Sequence, residues 1–351
     1  MTLLNVALVF GGGPVEHEIS MTSAKTVYEG LDKKRYRPIL VGVARDGKWW
    51  LQKNSKDFPS HVESSGAQLM FVPGSGGDAL VYGVGGDVTT VHVDVVFPIS
   101  PYFCSAVLEA AQVAFVGSRG PAPWICFDKQ IAKQTLLGAG LPTPRFLALI
   151  AGESVTFRGA QEALCSQTLF VKPATLHSSI GVSKVTCESE FQAAVQLAFS
   201  YDGKILVEEH VQARELECGI LQKLGPPNDL LCSWPSEIIP VDASSFFTSQ
   251  AKQDGDGVRI KIKSELHEAD VDRVRALSRA AFRATGCEAL ARVDVFMRPD
   301  GELLVNEIGS SPLLRPSSMF ARMMEESGVA YASLLDTLLE NAIIRAKRAQ
   351  S

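Results

Sequence analysis

Between residues 5 and 44 the chain reads NVALVF, then SAKTVYEGL, then RPILVGVA. A short unbroken apolar run bounded by turn residues reads as a buried strand, and apolar residues at helical spacing read as a helix. Strand, helix and strand in that order commit the chain to an open α/β sheet with parallel strands. The run VDVVFPI (93–99) supplies a further strand, whereas PGSGGDALVYGVGGD (73–87), rich in Gly and polar residues, reads as loop or hairpin.

With 351 residues, 46% of them hydrophobic, the chain can fill the cores of two or three ordinary domains. Lys and Arg number 34 against 39 Asp and Glu, a net charge of -5. That balance gives no electrostatic support for nucleic acid or an anionic membrane as partner, and it suits a small polar substrate better. No apolar run approaches the roughly 20 residues needed to cross a bilayer. MTLLNVALVFGGG lacks a basic leader and runs straight into a glycine turn, so it is expected to be a first strand of a cytoplasmic protein rather than a signal peptide. The seven cysteines are scattered, odd in number and without CxxC spacing, which argues against a zinc site and against a disulfide framework.

The pattern changes near residue 120. In FDKQIAKQTLLGAGLPTPRF, Asp128 is placed to cap a helix, Gly138 and Gly140 to stop it, and Pro142 and Pro144 to prevent its continuation. Two strands are expected to flank the turn in FVKPATLHSSIGVSKV (170–185), followed by a helix over ESEFQAAVQLAFSY. KILVEEHV and RELECGIL read as strands of one antiparallel unit. The last third predicts a helix in DVDRVRALSRAAFRATG, a hairpin in ALARVDVFMRPDGELLVNEIG turning at Pro299-Asp300-Gly301, and a terminal helix in VAYASLLDTLLENAIIRAKRAQ.

That hairpin carries the most chemistry. Strand alternation puts Arg292 and Asp294 on one face, and puts Glu307 on the face of Val305 and Gly309. Pairing through the turn brings Asp294 and Glu307 together. Two adjoining carboxylates repel unless a cation lies between them, and such hard oxygens suit Mg²⁺, which takes one or two carboxylates plus substrate phosphates. The competing reading is a charged hairpin facing solvent. Lys172 ends an apolar run, where an ammonium needs an anion such as a phosphate, and the following Ser-Ser-Ile-Gly offers hydroxyls and backbone N–H groups. A structural hairpin with a snorkelling lysine explains the same residues. In VFGGGPVEHEIS, Glu16 falls just beyond a strand's carboxyl end, where ligands of open sheets bind. His17 and Glu18 also suit a helix's exposed first turn.

Taken together and in this order, FGGGPVEHEIS, FDKQIAK, FVKPATLHSSIGVSKV, VEEHV, RELECGIL, ARVDVF and VNEIGSSP resemble the D-alanine–D-alanine ligases, members of the ATP-grasp superfamily, over nearly the whole chain. The resemblance implies an α/β protein of three domains: an N-terminal substrate domain (1–120), a central lid (121–214) and a C-terminal catalytic domain (215–351). It implies ATP clasped between the last two, with Lys129 and Lys172 on the phosphates, Glu208 and Val211 at the adenine, and Glu215 at the ribose. Asn306 joins the nucleotide site, and Lys252 covers the phosphates. Asp294 and Glu307 match the family's Mg²⁺ ligands, with Mn²⁺ an alternative. Glu16 and Ser178 match residues holding the first amino acid, Arg292 the arginine at the reaction centre, and Ser318 with Met319 the site of the second amino acid's carboxylate. A homodimer acting on amino acids is implied too.

Departures from the family concentrate at the chemistry. The His-Gly…Gly-Glu-Asp-Gly stretch that normally follows VFP is missing, His177 replaces a glycine, Gly309 replaces an asparagine that is the third metal ligand, and Leu313 replaces a glycine beside the developing oxyanion. The loop around Lys252 carries Phe247, Ser249 and Gln253 where relatives have tyrosines or similar closing contacts. Two readings stand: an active carboxylate–amine ligase with altered substrates, or a degenerate nucleotide-binding relative.

Overall fold

A computed structural model of the chain describes residues 3–13, 17–53, 57–99, 105–176, 179–226, 229–241 and 257–350. Three sheets organise them. The first has eight strands: β1 (Leu4–Gly11), β2 (Tyr36–Val43), β3 (Trp49–Leu51), β4 (Gln68–Phe71), β5 (Asp78–Tyr82), β6 (Val88–His92), β7 (Val95–Pro98) and β8 (Ala114–Phe115), in the order β6-β5-β4-β3-β2-β1-β7-β8. Strands β2, β1, β7 and β8 are parallel, as the strand–helix–strand pattern requires, and α1 (His17–Gly30) is the first crossover. The remaining strands extend the sheet as an antiparallel meander, so it is mixed rather than purely parallel. The stretch 73–87 supplies β5 and the turn into β6, a hairpin and not an excursion from the fold.

Alternation along β1 feeds two cores. Val6, Leu8 and Phe10 face α1 and α9 (Tyr331–Gln350), while Ala7 and Val9 pack towards Leu108 of α2 (Ser105–Ala110). A Cβ on Gly30 would lie 2.8 Å from the Tyr331 ring, so α1 and α9 are close because residue 30 lacks a side chain.

After α3 (Ala122–Phe127) comes α4 (Lys129–Gly138), which starts where the sequence places its cap. The Asp128 carboxylate accepts from the backbone N–H groups of Gln130 and Ile131. The second sheet is antiparallel, in the order β11 (Ser183–Val185), β10 (Leu169–Pro173), β12 (Lys204–Glu209), β9 (Phe146–Ile150), and is covered by α5 (Phe157–Leu164) and α6 (Glu188–Tyr201). The third runs β16 (Val258–Lys261), β15 (Ser236–Pro240), β13 (Arg214–Gln222), β17 (Leu290–Met297), β18 (Leu303–Gly309), with β14 (Leu230–Cys232) also on β13 and α7 (Glu268–Ala284) against its core. α8 (Met319–Glu326) follows.

One expectation fails here. KILVEEHV and RELECGIL do not form one antiparallel unit: β12 lies in the second sheet and β13 in the third. Both edges of β12 are occupied by β10 and β9, which leaves β13 no edge to join.

Candidate active site

Four residues, His210 to Ala213, separate β12 from β13, and the two sheets face each other across a cleft of about 390 Å³. On the side of the second sheet, the Asp128 cap fixes the start of α4 and so the direction of Lys129, whose Nζ donates to the Leu176 carbonyl. One helical turn on, Lys133 points inward and is fully buried, donating to Thr143 Oγ1 at 3.0 Å and lying 3.2 Å from Glu208 Oε1. Lys172 on β10 reaches Glu208 Oε2 at 2.7 Å. The anion that the sequence demands for Lys172 is therefore already present as a protein carboxylate, and the side chain does not snorkel to solvent.

Burial by itself would raise the pKa of Glu208, but Lys133 and Lys172 override it and hold the carboxyl below its ordinary value. For Lys133 burial is the larger influence, and it lowers the ammonium to about 8 despite the opposing pull of Glu208. The turn beyond β10 has left-handed backbone at Ser179 (φ 58°) and Gly181 (φ 71°). A Cβ on Gly181 would sit 2.8 Å from Pro173 Cγ, so close approach of the turn to β10 requires glycine there.

On the side of the third sheet, β17 and β18 pair Asp294 with Glu307, which makes the two carboxylates cross-strand neighbours. Arg292 and Asp294 share a face as expected, and their side chains are joined: Arg292 Nε and Nη2 donate to the two Asp294 oxygens, each at 2.7 Å. Glu217 of β13 is in register with Asp294 on the other flank, with Oε1 at 3.5 Å from Arg292 Nε. Burial works against the Arg292 charge, yet Asp294 and Glu217 hold the guanidinium protonated well above its ordinary range.

The expected sharing of a face by Glu307 and Val305 is wrong. The register slips between Asp294 and Val295, so Val305 pairs with Val295 in the core while Glu307 pairs with Asp294 at the cleft, and Asn306 is the extra residue. This β-bulge turns two successive side chains, Asn306 and Glu307, onto the cleft.

Lys129, Lys172, Glu208, Val211, Glu215, Asp294, Asn306 and Glu307 all line this one cleft. Arg292 stands beside its lining, held by Asp294. Ser318 is not in the lining: its hydroxyl accepts from the Ala321 N–H as the N-cap of α8 and donates to the Leu313 carbonyl at 2.6 Å. Glu16, Ser178 and Lys252, like His177, Phe247, Ser249 and Gln253, lie outside the described residues. Lys133 and Glu217 are among the charged residues that the sequence reading passed over. Lys133 follows Lys129 by four positions and so shares its helix face, and Glu217 follows Glu215 by two and so shares its strand face. Those spacings were the available signals.

No group of three or more His, Cys, Asp or Glu side chains set to hold a metal ion occurs among the described residues. The donor chemistry still fits Mg²⁺, because adjoining hard carboxylates at a cleft supply the one or two protein ligands that this ion takes when phosphates complete its shell. Among the described residues, a Cβ on Gly309 would meet only the Arg292 carbonyl, at 3.9 Å.

Residues 5–100 match the family described as D-ala D-ala ligase N-terminus, and residues 136–340 the one described as D-ala D-ala ligase C-terminus. D-alanine–D-alanine ligase A of Mesorhizobium japonicum is 37% identical across 97% of this chain and 97% of its own length. Among solved structures, the D-alanine-D-alanine ligase from Coxiella burnetii superposes with a TM-score of 0.85 at 27% identity, covering 100% of this chain and 97% of that one. The VanG D-Ala:D-Ser ligase from Enterococcus faecalis gives 0.81 at 24% identity, covering 97% and 100%, a likeness of fold.

Proposed function

The chain belongs to the D-alanine–D-alanine ligase family and is an ATP-dependent ligase forming a C–N bond, and on that premise we propose how its residues divide the work of joining two amino acids. A carboxylate is a poor electrophile because its oxygen leaves badly. Transfer of the ATP γ-phosphoryl group to that oxygen gives an acylphosphate, and the amine of the second amino acid then displaces phosphate. Phosphoryl transfer needs charge neutralisation and alignment more than covalent help.

In this reading Lys129 and Lys172 take the phosphates, Glu208 and Val211 the adenine, and Glu215 the ribose, with Asn306 beside the nucleotide and Lys252 over it. Glu16 and Ser178 hold the first amino acid, Ser318 with Met319 the carboxylate of the second, and Arg292 the developing negative charge. Asp294 and Glu307 would hold Mg²⁺, or Mn²⁺ in its place, which when bound neutralises phosphate charge and aligns the phosphate oxygens. The family's stretch after VFP lies near the first amino acid and its glycine at position 313 beside the developing oxyanion, and with both replaced here we place the substrate specificity away from D-alanine. Three working units, 1–120, 121–214 and 215–351, a homodimer and a cytoplasmic setting complete the proposal on kinship. No helix among the described residues is long and apolar enough to cross a membrane.

The observation that carries this reading is the convergence of Lys129, Lys172, Glu208, Val211, Glu215, Asp294, Asn306 and Glu307 on one cleft between two antiparallel sheets. Its test is phosphate release from ATP and Mg²⁺ across a panel of amino-acid pairs. Release above background with at least one pair is expected. No release with any pair, while calorimetry shows ATP bound, overturns it.

A further inference from the structure

Strands β13, β17 and β18 set Glu217, Asp294 and Glu307 side by side in one cross-strand row, with a single guanidinium, Arg292, among them. We propose that Glu217 is a positioning residue, the second carboxylate onto which Arg292 transfers when Asp294 turns to a metal ion. The inference rests on the metal assignment above and adds a residue to it.

Both Asp294 oxygens are engaged by Arg292, through Nε and Nη2 at 2.7 Å each. Each oxygen keeps a second lone pair for a cation, but a metal ion bound there would stand beside the guanidinium, and the repulsion between like charges loosens the grip of Arg292 on Asp294. A part-buried guanidinium deprived of its partner is strongly disfavoured unless another anion takes over. Glu217 is in place for that: its Oε1 lies 3.5 Å from Arg292 Nε, and it is more deeply buried than Asp294, with a side chain 4% exposed against 16%. Water reaches it poorly, so it remains a strong partner for a planar fork of N–H donors. Glu217 is not itself a third ligand in a preformed cage, since no three-carboxylate metal cluster is present among the described residues. Its role is to keep Arg292 charged and aimed while Asp294 changes partner.

Mn²⁺ binding in the presence of ADP, followed by the electron paramagnetic resonance of the free ion, tests this without turnover. Glu217→Gln removes the carboxylate that would receive Arg292 and should weaken Mn²⁺ binding about tenfold. In an Arg292→Met background the same change should cost less than about twofold, because no guanidinium remains to be handed over. Equal losses in both backgrounds would mean that Glu217 acts directly on the ion, and would overturn the proposal. Unchanged Mn²⁺ affinity in Glu217→Gln alone overturns it as well while leaving the metal assignment intact, whereas a wild-type protein that binds no Mn²⁺ overturns both. A crystal structure of the wild-type protein with Mn²⁺ and ADP needs no variant. Arg292 paired with Glu217 is the expected result, and Arg292 still forked onto Asp294 beside a bound ion is the contrary one.

Discussion

Lys172 and Glu208 meet diagonally across two antiparallel strands, Nζ to Oε2 at 2.7 Å, because the register sets Lys172 opposite Leu206 and Glu208 opposite Phe170. Both side chains are largely buried, so the pair is a structural ion pair as well as part of the cleft. Lys172→Met should destabilise the protein by about 3 kcal/mol, the low end for breaking a buried pair, since Lys133 still faces Glu208. Urea unfolding measures this. The double variant Lys172→Met/Glu208→Gln should lose more, because it also strips buried Lys133 of its carboxylate, and a recovery of stability would show that Lys133 does not depend on Glu208.

Lys133 gives the protein a pH dependence of known sign. Its folded pKa is lowered to about 8 from 10.5, so between these values the unfolded chain binds more protons than the folded one. Stability contributed at this position should rise with pH across that window and be flat below it. The slope, taken as wild type minus Lys133→Met, should approach about 1.4 kcal/mol per pH unit. Denaturant unfolding from pH 7 to 10.5 checks it, and a difference that falls with pH would contradict the assignment.

Gly309 sits on β18 opposite Arg292, with negative φ and with open space where a Cβ would go. Gly309→Asn should therefore be accommodated without strain and should add an oxygen ligand next to Glu307. Mn²⁺ affinity measured with ADP is expected to tighten about tenfold, within the range for restoring one coordinating or supporting group. Glu307→Ala in the same assay should abolish the dependence of nucleotide affinity on the metal.

Glu288 ties three parts of the chain together. Its carboxylate accepts from Arg119 Nε and Nη2 at 2.8 Å each and from Arg345 Nη1 of α9 at 2.6 Å. Burial opposes its charge, but Arg119 and Arg345 hold the carboxyl below the usual value of 4.5. The contribution is full above that value and is lost as pH falls through the depressed one. Glu288→Gln should cost about 2–4 kcal/mol, because buried Arg345 keeps only the Phe115 and Gly117 carbonyls as partners. The penalty, read from unfolding curves at pH 7, should shrink on acidification.

How much the amino-acid sequence reveals differs from element to element. The parallel half of the first sheet, α4 with its Asp128 cap and the terminal hairpin were legible, because period and punctuation are local properties. The separation of β12 from β13 was not, because it depends on which strand edges are occupied elsewhere in the sheets. The bulge at Asn306 escaped for a related reason. Nothing in LLVNEIG marks where the register slips, so strict alternation put Glu307 on the wrong face while still bringing it to Asp294. Family resemblance located the cleft residues, but it could not show that Lys172 already has Glu208 or that Arg292 already grips Asp294.

The helix α9 brings Leu334, Leu335, Leu338 and Leu339 against the face of the first sheet that holds Val6, Leu8 and Phe10. Because a ribosome makes β1 and α1 long before it makes that helix, this apolar face has only α1 to cover part of it until the later segment has emerged. Full cover for β1 therefore waits on a segment distant in the chain, and in that interval the half-covered face is open to chaperones.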